Sequence, residues 1–461
     1  MGPTRWPRST GGFLGLAVLA FVVVAVVAAA TFFTLGHGSG GGHAAIPSPH
    51  APILRPAMVP ASDAAETPTP AGMTAALAAA AADPNLGRLG ARVTDASTGK
   101  PLWEVSGDVP LIPASTNKVL TAAAALLTLD RQTRISTRVV AGGKDSSGPV
   151  VLVGAGDPTL SAAPPGVDTW YKGSPRISDL VDQIRRSGVT PTAVQVDTWA
   201  FSGPTLGQGW DLTDIDSGDI APIESAMIDA GRIQPSTVTS RRSRTPALDA
   251  GRELAKALGL DPGVVSIAKA PSGARQLAVV QSAPLVQRLA LMMDHSDNVM
   301  AECIAREVAA ATSRPRSFAG ATDAVLTQLA AAHVDTTGAK LVDSSGLSVD
   351  DRLTATTLAG VVQAGAGSDQ PELRELLDLL PIAGGSGTLG DRFLGVSSSQ
   401  GPAGWLRAKT GSLTAINSLV GVVTDRSGRV LTFALVSNGA GISGRTALDA
   451  LATQLWSCGC A

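Results

Sequence analysis

An uncharged apolar run at residues 13–35 restricts the fold of this chain more than any other feature of the sequence. The run is long enough to cross a bilayer as a helix, and it exceeds the ~7–15 apolar residues of a secretory signal. Arg5 and Arg8 precede it and the next lysine or arginine is Arg55, which places the N-terminus in the cytoplasm. The sequence therefore predicts a cytoplasmic tail and transmembrane anchor over residues 1–36, or alternatively a cleaved signal, with the remainder extracytoplasmic.

Residues 37–72 are rich in glycine, proline and small side chains and have no periodic apolar face. This composition is typical of a flexible linker that carries a globular part away from the membrane. The linker contains His37, His43 and His50, but their spacing matches no zinc-binding pattern. We therefore predict no metal site in this segment.

The overall composition limits the classes of partner. Hydrophobic residues make up 44% of the 461 residues, and the formal net charge is -2. This apolar content is sufficient for two globular domains, and the near-neutral charge gives no electrostatic attraction to nucleic acid. A nucleic-acid-binding function is therefore not expected.

Cys303, Cys458 and Cys460 are too few for a disulfide framework and wrongly spaced for a metal cluster. An oxidising compartment outside the cytoplasm would permit a disulfide between Cys303 and one of the terminal pair. The alternative is that all three cysteines are incidental to folding and function.

A serine three residues before a lysine occurs twice in the chain. The first copy, Ser97 and Lys100, lies within residues 89–113, where apolar and polar side chains alternate around a glycine-containing turn. This pattern predicts a β-hairpin, preceded by a helix over residues 73–84. Serine and lysine side chains at a turn between strands have no reason to converge, so no chemistry is expected from this copy.

The second copy, Ser115 and Lys118, precedes an apolar segment at residues 119–129 that has high helical propensity. Residues three apart on a helix share a face, so the lysine amine can reach the serine hydroxyl. The backbone N–H groups at such a helix start can stabilise an oxyanion. The alternative interpretation is that Ser115 caps the helix and Lys118 is solvated.

Two later segments carry further candidate residues. Ser296-Asp297-Asn298 forms a polar break between two helical patterns, the first ending near Asp294 and the second beginning near Val299. Residues 404–438 have the pattern of three antiparallel strands, with a turn at 425–428. Lys409-Thr410-Gly411 ends the first of these strands. Taken singly, the first triplet could be a helix cap and the second a strand end with an exposed lysine.

The chain thus contains three motifs in order: Ser115-x-x-Lys118, Ser296-x-Asn298 and Lys409-Thr410-Gly411. Together and in this order, these motifs are the signature of penicillin-recognising serine enzymes. The chain resembles the class C low-molecular-mass penicillin-binding proteins, the D-alanyl-D-alanine carboxypeptidase/endopeptidase family (peptidase S13-like). Further similar segments are residues 154–160, 197–204 and 343–354, and the resemblance covers residues 73–457.

The resemblance implies an α/β (α+β) fold: a serine β-lactamase/transpeptidase-like domain, with an antiparallel sheet flanked by helices, that is interrupted by a strand-rich domain. The long interval between Lys118 and Ser296 agrees with an insertion, and it contains short strand-like runs separated by glycine and proline. We therefore expect the catalytic domain at residues 73–135 and 272–461, and the inserted domain at residues 136–271.

The resemblance also implies a role for each motif. Ser115 would be the nucleophile that attacks a D-Ala-D-Ala peptide bond, and Lys118 the base, its pKa lowered by burial and by the nearby Lys409. Ser296 would relay the proton between the leaving nitrogen and Lys118. The implied substrate contacts are Asn298 for the substrate amide, Lys409 and Thr410 of the Lys409-Thr410-Gly411 motif for the terminal carboxylate, and the backbone N–H groups of Ser115 and Ser412 for the oxyanion. No metal or organic cofactor is implied.

The sequence departs from the family at one position within the similar segment at residues 343–354. Val349 stands where relatives often have an arginine that grips a diaminopimelate carboxylate, and Arg352 could substitute for it. Asp197, with Phe201 beside it, resembles an acidic and aromatic pair that relatives direct at the side-chain amine of the substrate. The alternative for Asp197 is a turn aspartate after a strand.

The implied partners are peptidoglycan stem peptides and β-lactams. Two other functions share these motifs. A β-lactamase would need rapid deacylation, and the sequence has no identifiable deacylating glutamate in a short loop after the second motif. A wall-binding scaffold that has lost activity would not be expected to retain all three motifs. The balance between carboxypeptidase and endopeptidase activity is left open by the sequence.

Overall fold

The computed structural model describes residues 65–394 and 401–459. Among the helices within these ranges, none is both long enough and apolar enough to cross a bilayer. The predicted anchor over residues 1–36 and the three histidines of the predicted linker lie outside the described residues.

Two five-stranded sheets contain the regular strands that the structure describes. In chain order these strands are β1 (Arg88–Asp95), β2 (Pro101–Val105), β3 (Ser136–Ala141), β4 (Ser147–Val153), β5 (Thr190–Asp197), β6 (Ser266–Ile267), β7 (Gln276–Gln281), β8 (Leu406–Leu413), β9 (Ile416–Thr424) and β10 (Val430–Asn438). The predicted hairpin is formed by β1 and β2, and the three predicted C-terminal strands are β8, β9 and β10.

The helices of the described ranges are α1 (Pro70–Ala81), α2 (Asn117–Thr128), α3 (Ile177–Arg186), α4 (Thr213–Ser217), α5 (Pro246–Leu258), α6 (Leu285–His295), α7 (Asn298–Ala311), α8 (Phe318–Ala331), α9 (Ala355–Ala366) and α10 (Gly444–Ser457). Of these, α1 and α2 confirm the helices predicted at residues 73–84 and 119–129. The break between α6 and α7 confirms the predicted interruption at Ser296-Asp297-Asn298.

The first sheet is antiparallel in the order β2-β1-β10-β9-β8 and is covered on both faces. Val420 and Ala434 belong to one buried cluster together with α2, α7, α8 and α9. Their chain neighbours Leu419 and Phe433 belong to a second cluster together with α1 and α10. Successive strand residues point to opposite faces, so these strands are apolar on both sides. This arrangement confirms the predicted sheet with flanking helices.

The second sheet has the order β6-β5-β4-β3-β7 and is mixed. β3 pairs antiparallel with β4 and β7, whereas β4 pairs parallel with β5. α3 and α5 supply buried side chains to its core. β7 begins at Gln276, so the segment that forms this sheet extends past residue 271, where the inserted domain was expected to end.

Of the two alternatives left open for Cys303, the structure has the unpaired thiol and not a disulfide to a terminal cysteine. Cys303 is a free, buried thiol on α7, within the apolar cluster of α2, α8 and α9. Cys458 is disulfide-bonded at the end of α10, and Cys460 lies outside the described residues. Burial among aliphatic side chains keeps the Cys303 sulfur away from any partner thiol, and it raises the pKa of that thiol.

Candidate active site

Ser115 lies in a single 3₁₀ turn, Ala114–Thr116, that leads directly into α2. Two hydroxyl groups fix the start of this turn, because Thr116 Oγ1 and Ser418 Oγ each donate to the Pro113 carbonyl at 2.6 Å. Ser418 belongs to β9, so the turn is attached to the first sheet. The sequence pattern predicts the helix, and these contacts fix the serine at its start.

Two glycines allow the Ser115 turn to approach its neighbours closely. A Cβ atom at Gly411 on β8 would lie 2.2 Å from Ser418 Oγ. A Cβ atom at Gly346 would lie 1.9 Å from the Ala114 carbonyl oxygen, and Gly346 has a φ of +79°. Side chains at these positions would push the surrounding backbone away from the turn.

Lys118 is fully buried and its amine lies against Ser115. Lys118 Nζ donates to Ser115 Oγ at 3.0 Å, to Asn298 Oδ1 at 2.6 Å and to the Ser345 carbonyl at 2.7 Å. Burial lowers the pKa of Lys118 from the usual 10.5 to about 8. The neutral amine, which can accept a proton from the serine hydroxyl, is therefore accessible near neutral pH.

Acidic groups oppose the effect of burial on Lys118. The negative charges of Asp343, Asp297, Glu302 and Asp219 each raise its pKa, in that order of size. The sequence analysis expected burial and the positive charge of Lys409 to lower the pKa of Lys118 together. Burial has the largest effect, and it lowers this pKa in spite of the four carboxylates.

Ser296 follows the last residue of α6 and adopts left-handed backbone angles, with φ 55° and ψ 37°. Its Oγ accepts a hydrogen bond from Lys409 Nζ at 2.9 Å. Lys409 is fully buried, and burial followed by the charge of Lys118 lowers its pKa well below the usual value. The hydrogen bonds of the described residues connect Ser296 to Lys409, not to Lys118 as the relay hypothesis requires.

Asn298 is held on both sides of its amide group. Its Oδ1 accepts from Lys118, and its Nδ2 donates to the Asp219 carbonyl at 2.9 Å. Asp219 follows α4, in the segment between β5 and β6. That segment therefore fixes the orientation of the Asn298 side chain.

The segment that follows Asp343 completes the environment of Lys118. Asp343 Oδ1 accepts from the backbone N–H of Gly346, and Asp343 Oδ2 accepts from the N–H of Ser348 and from Trp210 Nε1 at 2.8 Å. These bonds hold the loop that presents the Ser345 carbonyl to the lysine. Trp210, like Asp219, lies in the segment between β5 and β6.

An open cleft of about 740 Å³ runs past Ser115. Ser296, Asn298, Thr410 and Ser412 also line it, whereas the amines of Lys118 and Lys409 are buried beneath its floor. Thr410 Oγ1 donates to Thr388 Oγ1 at 2.8 Å. The structure thus brings together the three motifs that the sequence analysis singled out.

Sequence reasoning missed the side walls of this cleft. The segment around α4 contributes an acidic wall, Asp211, Asp214 and Asp219, and Asp391, Arg392 and Arg445 also line the cleft. The acidic wall had a signal in the sequence, because residues 211–219 contain four aspartates in a chain that has 16% charged residues. The arginines had no comparable signal, since they are single residues on separate elements.

Asp197 does not line the cleft. Its carboxylate is buried at the end of β5, where Oδ1 accepts from the Trp199 N–H at 2.9 Å and Oδ2 from the Ala270 N–H at 2.8 Å. Asp197 is therefore placed as the alternative interpretation describes, as a turn aspartate at the end of a strand, and not where it could contact a substrate amine in the cleft. Phe201 is half-buried against the apolar core, with the Arg306 guanidinium 5.3 Å from the centre of its ring.

Arg352 does not take the place of the missing arginine at residue 349. Its Nη1 donates to the carbonyls of Val349 and Asp351, and it is absent from the cleft lining. Val349 does line the cleft, with 48% of its surface exposed. The cleft therefore has an apolar group at this point.

Comparison with protein families identifies the chain. The model of the D-Ala-D-Ala carboxypeptidase 3 (S13) family matches residues 73–241 and 236–455. The chain belongs to this family. The carboxypeptidase is therefore a serine-type hydrolase, and its residues 1–60 also match the N-terminal domain of Rv3627c-like carboxypeptidases.

Two mycobacterial relatives align with the carboxypeptidase along its full length. It is 72% identical to carboxypeptidase Rv3627c of Mycobacterium tuberculosis and 62% identical to carboxypeptidase DacB of Mycolicibacterium smegmatis, with 100% of each chain covered. It is also 29% identical to a D-alanyl-D-alanine carboxypeptidase of an Actinomadura strain, over 79% of this chain and 80% of the relative.

A solved structure supports the fold assignment. Penicillin-binding protein 4 of Haemophilus influenzae superposes on the carboxypeptidase with a TM-score of 0.68 and 23% identity. The superposition covers 84% of this chain and 99% of the other. The predicted α/β (α+β) fold class is thus confirmed.

Proposed function

We propose that this D-Ala-D-Ala carboxypeptidase cleaves the terminal D-alanine from peptidoglycan stem peptides through an acyl-enzyme on Ser115. The contact between Lys118 Nζ and Ser115 Oγ, at 3.0 Å, carries the proposal. A serine hydroxyl needs an adjacent base to become a nucleophile, and a lysine can serve only when it is neutral. Burial of Lys118 meets that requirement.

In the proposed reaction, neutral Lys118 takes the proton of Ser115 as its oxygen attacks the carbonyl carbon of the terminal peptide bond. The backbone N–H groups of Ser115 and Ser412 bind the oxyanion that forms. The C–N bond then breaks as Ser296 delivers its hydroxyl proton to the leaving nitrogen, and Lys409, which donates a hydrogen bond to Ser296, replaces that proton. Water attacks the ester and gives its proton to the neutral Lys409 amine through Ser296, while Lys118 returns its proton to the Ser115 oxygen as the shortened peptide leaves.

Selection for a free carboxyl terminus is assigned to Lys409, Thr410 and Gly411 on β8. A substrate carboxylate beside Lys409 would favour the protonated amine, and Thr410 offers a hydroxyl in the cleft. Gly411 keeps the strand close to the Ser115 turn. Asn298, its amide fixed by Lys118 and Asp219, is assigned to the backbone of the penultimate residue.

The division into domains supports this assignment of roles. We infer a catalytic domain built on the first sheet and an inserted domain that starts at residue 136 and extends through β7. The inserted segment lines the acidic wall of the cleft, where it can contact the stem peptide beyond its terminal dipeptide. We place the enzyme outside the cytoplasm, attached by a membrane anchor within residues 1–36 or released if that segment is cleaved.

Fluorescent penicillin tests the acyl-enzyme, because a β-lactam acylates the nucleophile and its leaving group stays tethered. We expect one labelled peptide, which contains Ser115, and release of D-alanine from purified pentapeptide muropeptides. Cross-linked muropeptides in the same assay measure endopeptidase activity. Labelling without hydrolysis of either substrate would favour a wall-binding scaffold, and rapid turnover of penicillin itself would favour a β-lactamase.

A further inference from the structure

The loop between β4 and α3 places two aromatic residues beside Ser296. Tyr171 is the single tyrosine of the chain, is fully buried, and donates its hydroxyl to Asp297 Oδ2 at 2.5 Å. Trp170 contacts His295 in a tilted arrangement, with ring centroids 5.4 Å apart. Consecutive residues of one loop therefore contact the residues on both sides of Ser296.

The backbone of Ser296 needs such support. Left-handed angles are unfavourable for a residue with a Cβ atom, and they persist where the surrounding structure enforces them. The angles also determine where the Ser296 hydroxyl points, which is toward Lys409 Nζ at 2.9 Å. A shift of the flanking residues would move that hydroxyl within the cleft.

The two carboxylate oxygens of Asp297 connect the residue after Ser296 to two different elements. Oδ1 accepts from the Met300 N–H at 3.0 Å and caps α7, while Oδ2 accepts from Tyr171. Asp297 is 5% exposed, so water has little access to replace the phenol. The hydrogen bond from Tyr171 thus joins the start of α7 to the loop after β4.

The supporting loop is itself held in place. Thr169 Oγ1 and Ser174 Oγ donate to the Tyr171 carbonyl at 2.7 Å and 2.6 Å. The Arg232 guanidinium lies 3.8 Å from the centre of the Trp170 ring. Two hydrogen bonds and a cation–π contact therefore fix the loop.

We propose that Tyr171 is a positioning residue for the hydrolase reaction, and that its hydroxyl acts through Asp297 to hold the Ser296 hydroxyl beside Lys409. Trp170 supports the same segment from the side of His295. The inference rests on the proposed function, because it presumes that Ser296 takes part in acylation. The inserted segment would then align the reacting groups as well as line the cleft.

Tyr171→Phe in the full-length chain removes the hydroxyl and keeps the ring. We expect the rate constant for acylation by penicillin to fall about tenfold or more, because misplacement of a reacting group is costly, while the affinity of the initial non-covalent complex changes little. Thr159→Val is the matched control, since it removes a buried hydroxyl bonded to Asp157 Oδ1 at 2.6 Å, away from the cleft. This variant should acylate at the wild-type rate.

A second readout uses the single tyrosine. Incorporation of 3-fluorotyrosine labels residue 171 alone, and its ¹⁹F resonance should shift when penicillin acylates Ser115, but not in Ser115→Ala. An unchanged acylation rate in Tyr171→Phe, equal slowing in Thr159→Val, or a resonance that does not move on acylation would each overturn the inference. A wild-type protein that is not acylated at Ser115 would instead overturn the proposed function, and this role with it.

Discussion

Ser97 and Lys100 lie in the turn between β1 and β2, whereas Ser115 and Lys118 lie at the start of α2. Ser97 Oγ donates to Asp95 Oδ1 at 3.0 Å, and Lys100 is exposed. Ser115 Oγ instead accepts from the amine of a lysine that no solvent reaches. The two copies have the same spacing of serine and lysine in opposite environments.

Backbone geometry accounts for the difference between the two copies. Gly99 has a φ of +70°, which breaks any helical path between Ser97 and Lys100. Residues 115–118 run from a 3₁₀ turn into a helix, so both side chains lie on one face. A serine-lysine spacing therefore indicates a nucleophile only when a helix aligns the pair and a core buries the lysine.

The largest contrast should come from removal of each serine. Ser115→Ala should abolish penicillin labelling, since no hydroxyl remains to be acylated, whereas Ser97→Ala should be labelled like the wild type. Intact-mass spectrometry after incubation with benzylpenicillin measures the adduct, and circular dichroism checks the fold of both variants. An adduct on Ser115→Ala would contradict the assignment of the nucleophile.

The two lysines should differ almost as strongly. Lys118→Arg places a permanently protonated guanidinium beside Ser115, so the rate constant for acylation should fall by about 10²–10⁴. Lys100→Arg changes an exposed side chain and should leave the rate within a factor of about two of the wild-type value. Stopped-flow measurement with a fluorescent penicillin gives both rates. Comparable losses in the two variants would show that the effect does not arise from base catalysis.

Gly346 lies near the Ser115–Lys118 pair and Gly99 lies near the Ser97–Lys100 pair, so substitution of each glycine compares how closely the two regions are packed. Gly346→Ala would force a Cβ atom within 1.9 Å of the Ala114 carbonyl, and we expect it to reduce the free energy of unfolding by more than about 3 kcal/mol. Gly99→Ala meets its nearest atom at 3.9 Å, so only the left-handed backbone is penalised, by about 1–2 kcal/mol. Urea denaturation measures both values, and equal midpoints would contradict the close packing described for the Ser115 turn.

The smallest expected effect is the pH dependence of acylation. The pKa of Lys118 is about 8, so the neutral fraction of this base, and with it the acylation rate, should increase about tenfold between pH 7 and pH 9. Lys100→Ala should have the same profile, because an exposed lysine at the turn does not act on Ser115. A rate that is constant or decreases over this range would exclude Lys118 as the base.

The sequence was sufficient where the determinants are local. Helix periodicity and capping residues predicted the ends of α6 and α7 to within one residue, at His295 and Asn298. Alternation of apolar side chains predicted β1, β2 and the three C-terminal strands. The motif order then placed Ser115, Lys118 and the strand β8 at one site through the family resemblance.

The sequence was not sufficient where distant segments meet. Tyr171 and Asp297 are separated by 126 positions, and Ser296 and Lys409 by 113, so no local pattern records either hydrogen bond. Asp197 is the last residue of β5, and two backbone amides satisfy its carboxylate. Whether such a residue faces a cleft or closes a turn depends on the packing of the neighbouring chain.

β1 pairs with β10 along its whole length, from Arg88 opposite Asn438 to Asp95 opposite Leu431. A chain is synthesised from its N-terminus, so β1 leaves the ribosome long before its partner strand does. β3, β4, β5 and β7 have all emerged by then, and the second sheet can therefore assemble first. Until β10 arrives, the apolar strand β1 has an open edge that is prone to aggregation. Because β8 carries Lys409 and pairs with β9, the active site can be complete only after the C-terminal strands of the first sheet have been made.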